Sequence, residues 1–152
     1  MERSTMVTPD LLRRYAHFAQ LDEAALAKLA SVAHERVIPA GEKMFVDNDP
    51  AEHLFLILHG EVQLQYEMGN GEIRVADTLV DGDLLVWSSL VEPFRCTADG
   101  QAVKETNVVA FDADKVRAFC EEDHVLGHRL LTQVANLLAS RLQTAQTQLA
   151  DV

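Results

Sequence analysis

Apolar residues first recur at helical spacing. Leu11, Leu12, Tyr15 and Phe18 follow Thr8-Pro9-Asp10, where Thr8 is placed to cap and Pro9 to take the first helical position. Leu21-Asp22-Glu23 then opens a second helix with Ala25, Leu26, Leu29, Ala30, Val32 and Ala33 on its apolar face, and its two carboxylates complement the positive end of that helix. The pattern predicts a helical preface over residues 8–34, with His17 and His34 as helix residues, and reads Met-Glu-Arg-Ser-Thr only as the stretch before the first helix signal.

From Arg36 the period shortens. Val37-Ile38 and residues 43–46 read as short strands separated by the turn Pro39-Ala40-Gly41-Glu42, and Asp47-Asn48-Asp49-Pro50 ends the second. Residues 54–58 form a strand apolar on both faces, whereas Val62, Leu64 and Tyr66 alternate with polar neighbours as one half of a hairpin. Gly69-Asn70-Gly71 supplies its turn, and residues 73–79 return. After Ala98-Asp99-Gly100, read as a turn, residues 102–111 hold the last strand or strands. Short strands about ten residues apart, with glycine turns between them, imply an antiparallel barrel or double-sheet jelly roll over residues 36–111.

Helical periodicity resumes at Asp112, which caps residues 113–121 with Val116, Phe119 and Cys120 inward. In the final helix Leu126, Leu130, Val134 and Leu137 make one apolar stripe. Leu131, Ala135, Leu138, Leu142, Ala145 and Leu149 make another, spaced four, three, four, three, four as in a heptad seam. One helix with two apolar faces needs two things to bury against. The first stripe is assigned to the barrel and the seam to a second copy of the chain, since a buried leucine stabilises by roughly 1.5–3 kcal/mol and no other segment is left to cover it; the alternative is a helix folded back over its own domain. The helical region is expected over residues 112–151, in a single α+β domain spanning residues 1–152.

Composition narrows the partners. At 152 residues and 48% hydrophobic the chain fits one domain with a real core, and 13 basic against 24 acidic residues leave a net charge of -11. Such a charge opposes non-specific contact with a phosphate backbone or an anionic membrane. No apolar run reaches spanning length, and Cys96 and Cys120 lack the close spacing of zinc or redox motifs, so a cytoplasmic protein with reduced thiols is expected.

The chemistry concentrates in residues 82–97. Leu84 to Val86 end a strand, Trp87-Ser88-Ser89-Leu90-Val91 is long enough for one or two helical turns before Pro93, and Arg95 follows. Unpaired N–H groups at that turn, the hydroxyls of Ser88 and Ser89, and the Arg95 guanidinium could together hold an anion; the alternative is a plain connection with a surface arginine. Catalytic constellations are missing. His53 and His59 lie six residues apart, about 20 Å along a strand and too far for one metal. His124 and His128 stand at i, i+4 without an evident third ligand. No P-loop, dinucleotide glycine motif or nucleophile triad appears, and no enzymatic activity is expected.

This layout resembles the cyclic nucleotide-binding domain of the catabolite activator and Crp/Fnr regulators, from about Leu11 to Leu149. The resemblance rests on Ile38-Pro39-Ala40-Gly41-Glu42 leading to Phe45, on Leu54-Phe55-Leu56-Ile57-Leu58-His59-Gly60-Glu61-Val62, and on Asp81-Gly82-Asp83 before the turn that would be the phosphate-binding cassette. It implies a jelly roll with leading helices and a long terminal dimerisation helix, and a ligand site at Val86, Trp87, Ser88, Ser89, Arg95, Cys96 and Thr97. Family members that bind cyclic AMP or cyclic GMP carry Gly-Glu where this chain has Val86-Trp87, so no carboxylate remains for the ribose. Arg95-Cys96-Thr97-Ala98 keeps the second half with one residue inserted after the arginine. The resemblance therefore implies a regulatory module with a degenerate cassette, taking a cyclic nucleotide or another small anion, or else a ligand-free scaffold plugged by Trp87. Crp/Fnr regulators continue into a helix-turn-helix domain and this sequence ends at Val152, so a homodimer acting on a protein partner, without direct DNA binding, is expected.

Overall fold

The computed structural model describes the backbone of residues 2–150 and the side chains of residues 6–150; Met1, Asp151 and Val152, and with them the expected helix limit at residue 151, lie outside the described residues. Strand β1 (Glu2–Met6) precedes helices α1 (Pro9–Arg13) and α2 (Glu23–Ser31). Strands β2 (Ala33–Ile38), β3 (Lys43–Phe45), β4 (His53–His59), β5 (Glu61–Glu67), β6 (Ile73–Val80) and β7 (Leu84–Leu85) lead to a 3-10 turn, Trp87–Leu90. Then come β8 (Asp99–Ala102), β9 (Thr106–Asp112), α3 (Ala113–Glu122) and α4 (His124–Ala150).

The strands form two antiparallel sheets, ordered β1-β2-β9-β4-β7 and β3-β8-β5-β6. Strands β4 and β9 are covered on both faces, by the helices on one side and the second sheet on the other, which is why both faces of each are apolar. Leu54, Leu56, Val109 and Phe111 face a core shared with the helices. Phe55, Ile57, Val108 and Ala110 alternate with them and face the second sheet across the roll. Strand β6, an edge, keeps Ile73 and Val75 exposed, at 59% and 52%.

The helix starts follow the expected capping chemistry. Thr8 Oγ1 accepts from Leu11 N at 3.2 Å and Asp22 Oδ1 from Ala25 N at 2.8 Å. Their extents do not. Helix α1 stops at Arg13 and the chain continues as turns, which still deliver Phe18, fully buried, against Phe111 at 5.6 Å between ring centroids. Ala33 and His34, expected in the second helix, pair in strand β2 with Phe111 and Ala110 of β9, because the open side of β9 offers six ladder positions that local helix propensity cannot match. His17 lies in the turns, not in a helix.

Asp99-Gly100 is also strand rather than turn. Gly100 pairs with Leu64 on β5, and a Cβ there would stand 2.3 Å from Cζ of Phe45. The glycine admits an aromatic ring against the sheet instead of reversing the chain. Gly60, at φ +140°, has the same character: a Cβ would meet Thr106 Oγ1 at 2.3 Å.

Helix α4 separates its two stripes. Leu126, Leu130 and Val134 are buried against the domain. Leu131, Leu142 and Leu149 of the seam are 47%, 60% and 74% exposed. Ala135 and Ala145 are exposed too, and Leu138 is half-buried.

Candidate ligand pocket

The segment leading into strand β7 is held before the turn begins. Gly82 N donates to Ile57 O at 2.8 Å, and His17 Nε2 lies 3.0 Å from the Gly82 carbonyl, so that nitrogen carries the proton. Asp81 Oδ1 accepts from Gly60 N at 2.8 Å and its Oδ2 faces His59 Nδ1 at 3.2 Å. The Gly60 N–H, with His59 second, draws the Asp81 carboxyl below the usual carboxylate range.

Val86 turns the chain. It adopts φ 64° and ψ 52°, a left-handed conformation that β-branched residues rarely enter, and the 3-10 turn Trp87–Leu90 starts from it. Ser88 and Ser89 are buried, Ser89 completely. The Ser89 carbonyl accepts from Arg117 of α3, whose guanidinium carbon lies 4.2 Å from the centre of the Phe94 ring. A clamp is thus set between the turn and the helices.

The returning segment is hydrogen-bonded to the loop before β4: Cys96 N donates to Asp49 O at 2.9 Å, and Asn48 N to Cys96 O at 2.8 Å. Arg95 points outward along this ladder. It is exposed, and its Nη1 donates to the Asn48 carbonyl at 2.7 Å.

The pocket lies between the two sheets at this turn, lined by Phe45, Leu64, Leu79, Leu85, Val86, Trp87, Ser88, Cys96, Thr97, Ala98 and Arg141. Of the residues the sequence nominates, Val86, Trp87, Ser88, Cys96 and Thr97 meet here, while Ser89 and Arg95 do not line it. The space left is about 20 Å³, enough for about one water. Cys96 contributes as a wall. Burial first, then the charges of Asp49 and Asp47, pushes its thiol pKa up, which opposes thiolate formation.

Arg141 is the residue that sequence reasoning missed. It reaches the pocket from α4, and its Nε and Nη2 are shut off from solvent with no hydrogen-bond partner. Its Nε forms an ion pair with Asp77 Oδ2 at 3.7 Å. A signal was available in that Leu137, Leu138, Thr144 and Ala145, its neighbours at three and four residues, include no carboxylate. His53 and His59 do not converge: His53 stands 3.3 Å from Arg36 Nη2 while His59 faces Asp81, and no group of three metal-binding side chains occurs among the described residues.

Two antiparallel sheets rolled around a short helical turn, with flanking helices and a terminal helix returning over the mouth, define a regulatory jelly roll of the cyclic nucleotide-binding type. The chain belongs to the cyclic nucleotide-binding domain family, whose model matches residues 35–123. A CRP-like cAMP-activated global transcriptional regulator of Mycobacterium tuberculosis is 23% identical over 143 residues, 94% of this chain and 62% of that protein. The cyclic AMP receptor protein of Thermus thermophilus is 29% identical over 119 residues, 78% of this chain and 53% of that protein. The chain therefore spans little more than half the length of these curated relatives. A cyclic nucleotide-binding protein from Geobacter metallireducens superimposes with a TM-score of 0.83 at 31% identity, covering 90% of this chain and 99% of that one. Among the described residues no helix is long and apolar enough to cross a membrane.

Proposed function

We propose that this domain is a non-catalytic sensor that binds a small anionic or nucleotide-like ligand in the pocket under Trp87 and signals through α3 and α4 to a protein partner in the cytoplasm, as a homodimer joined by the α4 seam. The observation that carries this reading is Arg141. A guanidinium whose buried Nε and Nη2 make no hydrogen bond, with Asp77 Oδ2 at 3.7 Å as its ion-pair partner, is incompletely satisfied, and an anion at the hydroxyls of Ser88 and Thr97 would complete its hydrogen bonding. In this reading Arg141 takes over the role that the resemblance assigns to Arg95. Because Arg141 belongs to α4, the ligand would favour one placement of that helix over others. The exposed leucines of the seam support the dimer.

The second reading has its own observation. With about 20 Å³ free, the pocket admits a nucleotide only if Trp87 swings out; if it does not, the domain is a scaffold with an indole plug. Isothermal titration with cyclic AMP, cyclic GMP and cyclic dinucleotides separates the two. Micromolar binding weakened at least tenfold by Arg141→Ala and little by Arg95→Ala is the expected result, tenfold being about 1.4 kcal/mol. No heat with any of them would move the assignment to the plugged scaffold.

A further inference from the structure

The heptad seam does not begin at Leu131. Counting back by three and then four residues gives His128 and His124, so the spacing continues unbroken to the first residue of α4. Both imidazoles are exposed, and they border one groove together with Leu131, which places the three on a common side of the helix. No hydrogen bond reaches either ring among the described residues; at His128 a side-chain hydrogen bond runs from Thr132 Oγ1 to its carbonyl.

We propose that His124 and His128 are half of a divalent metal site, completed by the same pair from a second copy of the chain. The inference rests on the seam dimer of the preceding section. Two histidines at i, i+4 on one helix face chelate a single ion. A single chain offers no third ligand, as no group of three metal-binding side chains exists among the described residues. In a parallel dimer about a two-fold axis the positions 124 and 128 face their own copies, and four neutral imidazole nitrogens meet the tetrahedral preference of Zn(II) at about 2.0–2.1 Å each. Parallel pairing also sets His against His. Antiparallel pairing would bring the imidazoles against Ala145 and Leu149, leaving polar rings in an apolar seam. Helix α4 carries no Asp or Glu that would draw a metal elsewhere along it. The site would be structural, fixing register and orientation where the two domains meet, well apart from Arg141 along the helix.

Zn(II) alone is the probe, added to tag-free full-length protein. Titration calorimetry should give one Zn(II) per two chains, and sedimentation should show the dimer dissociation constant falling at least tenfold, since metal that binds only the dimer stabilises it by mass action. The His124→Ala/His128→Ala variant should remain a seam dimer and lose both the heat and the tightening. A dimer that takes up no Zn(II), or takes it up unchanged in the double variant, or binds one ion per chain, overturns the site and leaves the dimer standing. A chain that stays monomeric with and without Zn(II) overturns both.

Discussion

Val86 is a valine at φ 64°, where the backbone favours glycine, and its neighbour Trp87 is an indole where the family resemblance implies a carboxylate. Both line the pocket, in which about 20 Å³ is left free. His53 shows a different residue-scale effect. Burial, then the charges of Arg36 and His34, holds its pKa below the ordinary histidine value, and its Nε2 faces Arg36 Nη2 at 3.3 Å as an acceptor. The folded state therefore resists a proton that the unfolded chain accepts near pH 6.5. This contribution is present above about pH 6.5 and is lost as pH falls through the depressed folded value. Urea midpoints measured at pH 7.5 and 5.5 should drop more for the wild type than for His53→Gln. Equal drops would remove His53 as the cause.

At the scale of elements, α4 carries two kinds of leucine. Leu130 is 3% exposed and packs in the helical core, so Leu130→Ala should destabilise the fold by about 2–5 kcal/mol in urea or thermal denaturation. Leu142 is 60% exposed, and Leu142→Ala should change the fold of the single chain by no more than about 0.5 kcal/mol while weakening the dimer in sedimentation. Comparable losses from both would mean that the seam folds back on its own domain. Both stripes were legible as periodicity because an α-helix repeats faithfully over 27 residues. The short elements were less legible. Ala33-His34 carries helix-compatible chemistry yet pairs with β9, and Asp99-Gly100 carries turn chemistry yet lies in a strand beneath Phe45. In each case a partner more than 50 residues distant in sequence outweighed the local preference.

The whole molecule is acidic, with a net charge of -11, and Arg141, the arginine that lines the pocket, is half-buried beside Asp77. Ligand selection would therefore depend on a local cation inside a repelling field, which favours small anions that fit over polyanions that do not. At about 0.15 M salt the domain should show no anisotropy change with a labelled non-specific duplex at micromolar protein. Binding that steepens as salt is lowered would contradict this and point to a basic surface that the described residues do not present.

The amino-acid sequence by itself determined the class of fold, the short turn after Val86 and the two-faced terminal helix, because alternation, glycine turns and heptad spacing are local patterns that survive without knowledge of distant partners. It also placed five pocket residues together, since they lie within a dozen positions of one another. Only the tertiary structure decided which cation faces the pocket and how much room remains there. Arg95 and Arg141 lie 46 residues apart in the chain, and the choice between them depends on where α4 returns over the roll and on the Asn48 carbonyl that takes Arg95 outward. Those are matters of packing and hydrogen-bond geometry between distant segments, which no local pattern encodes.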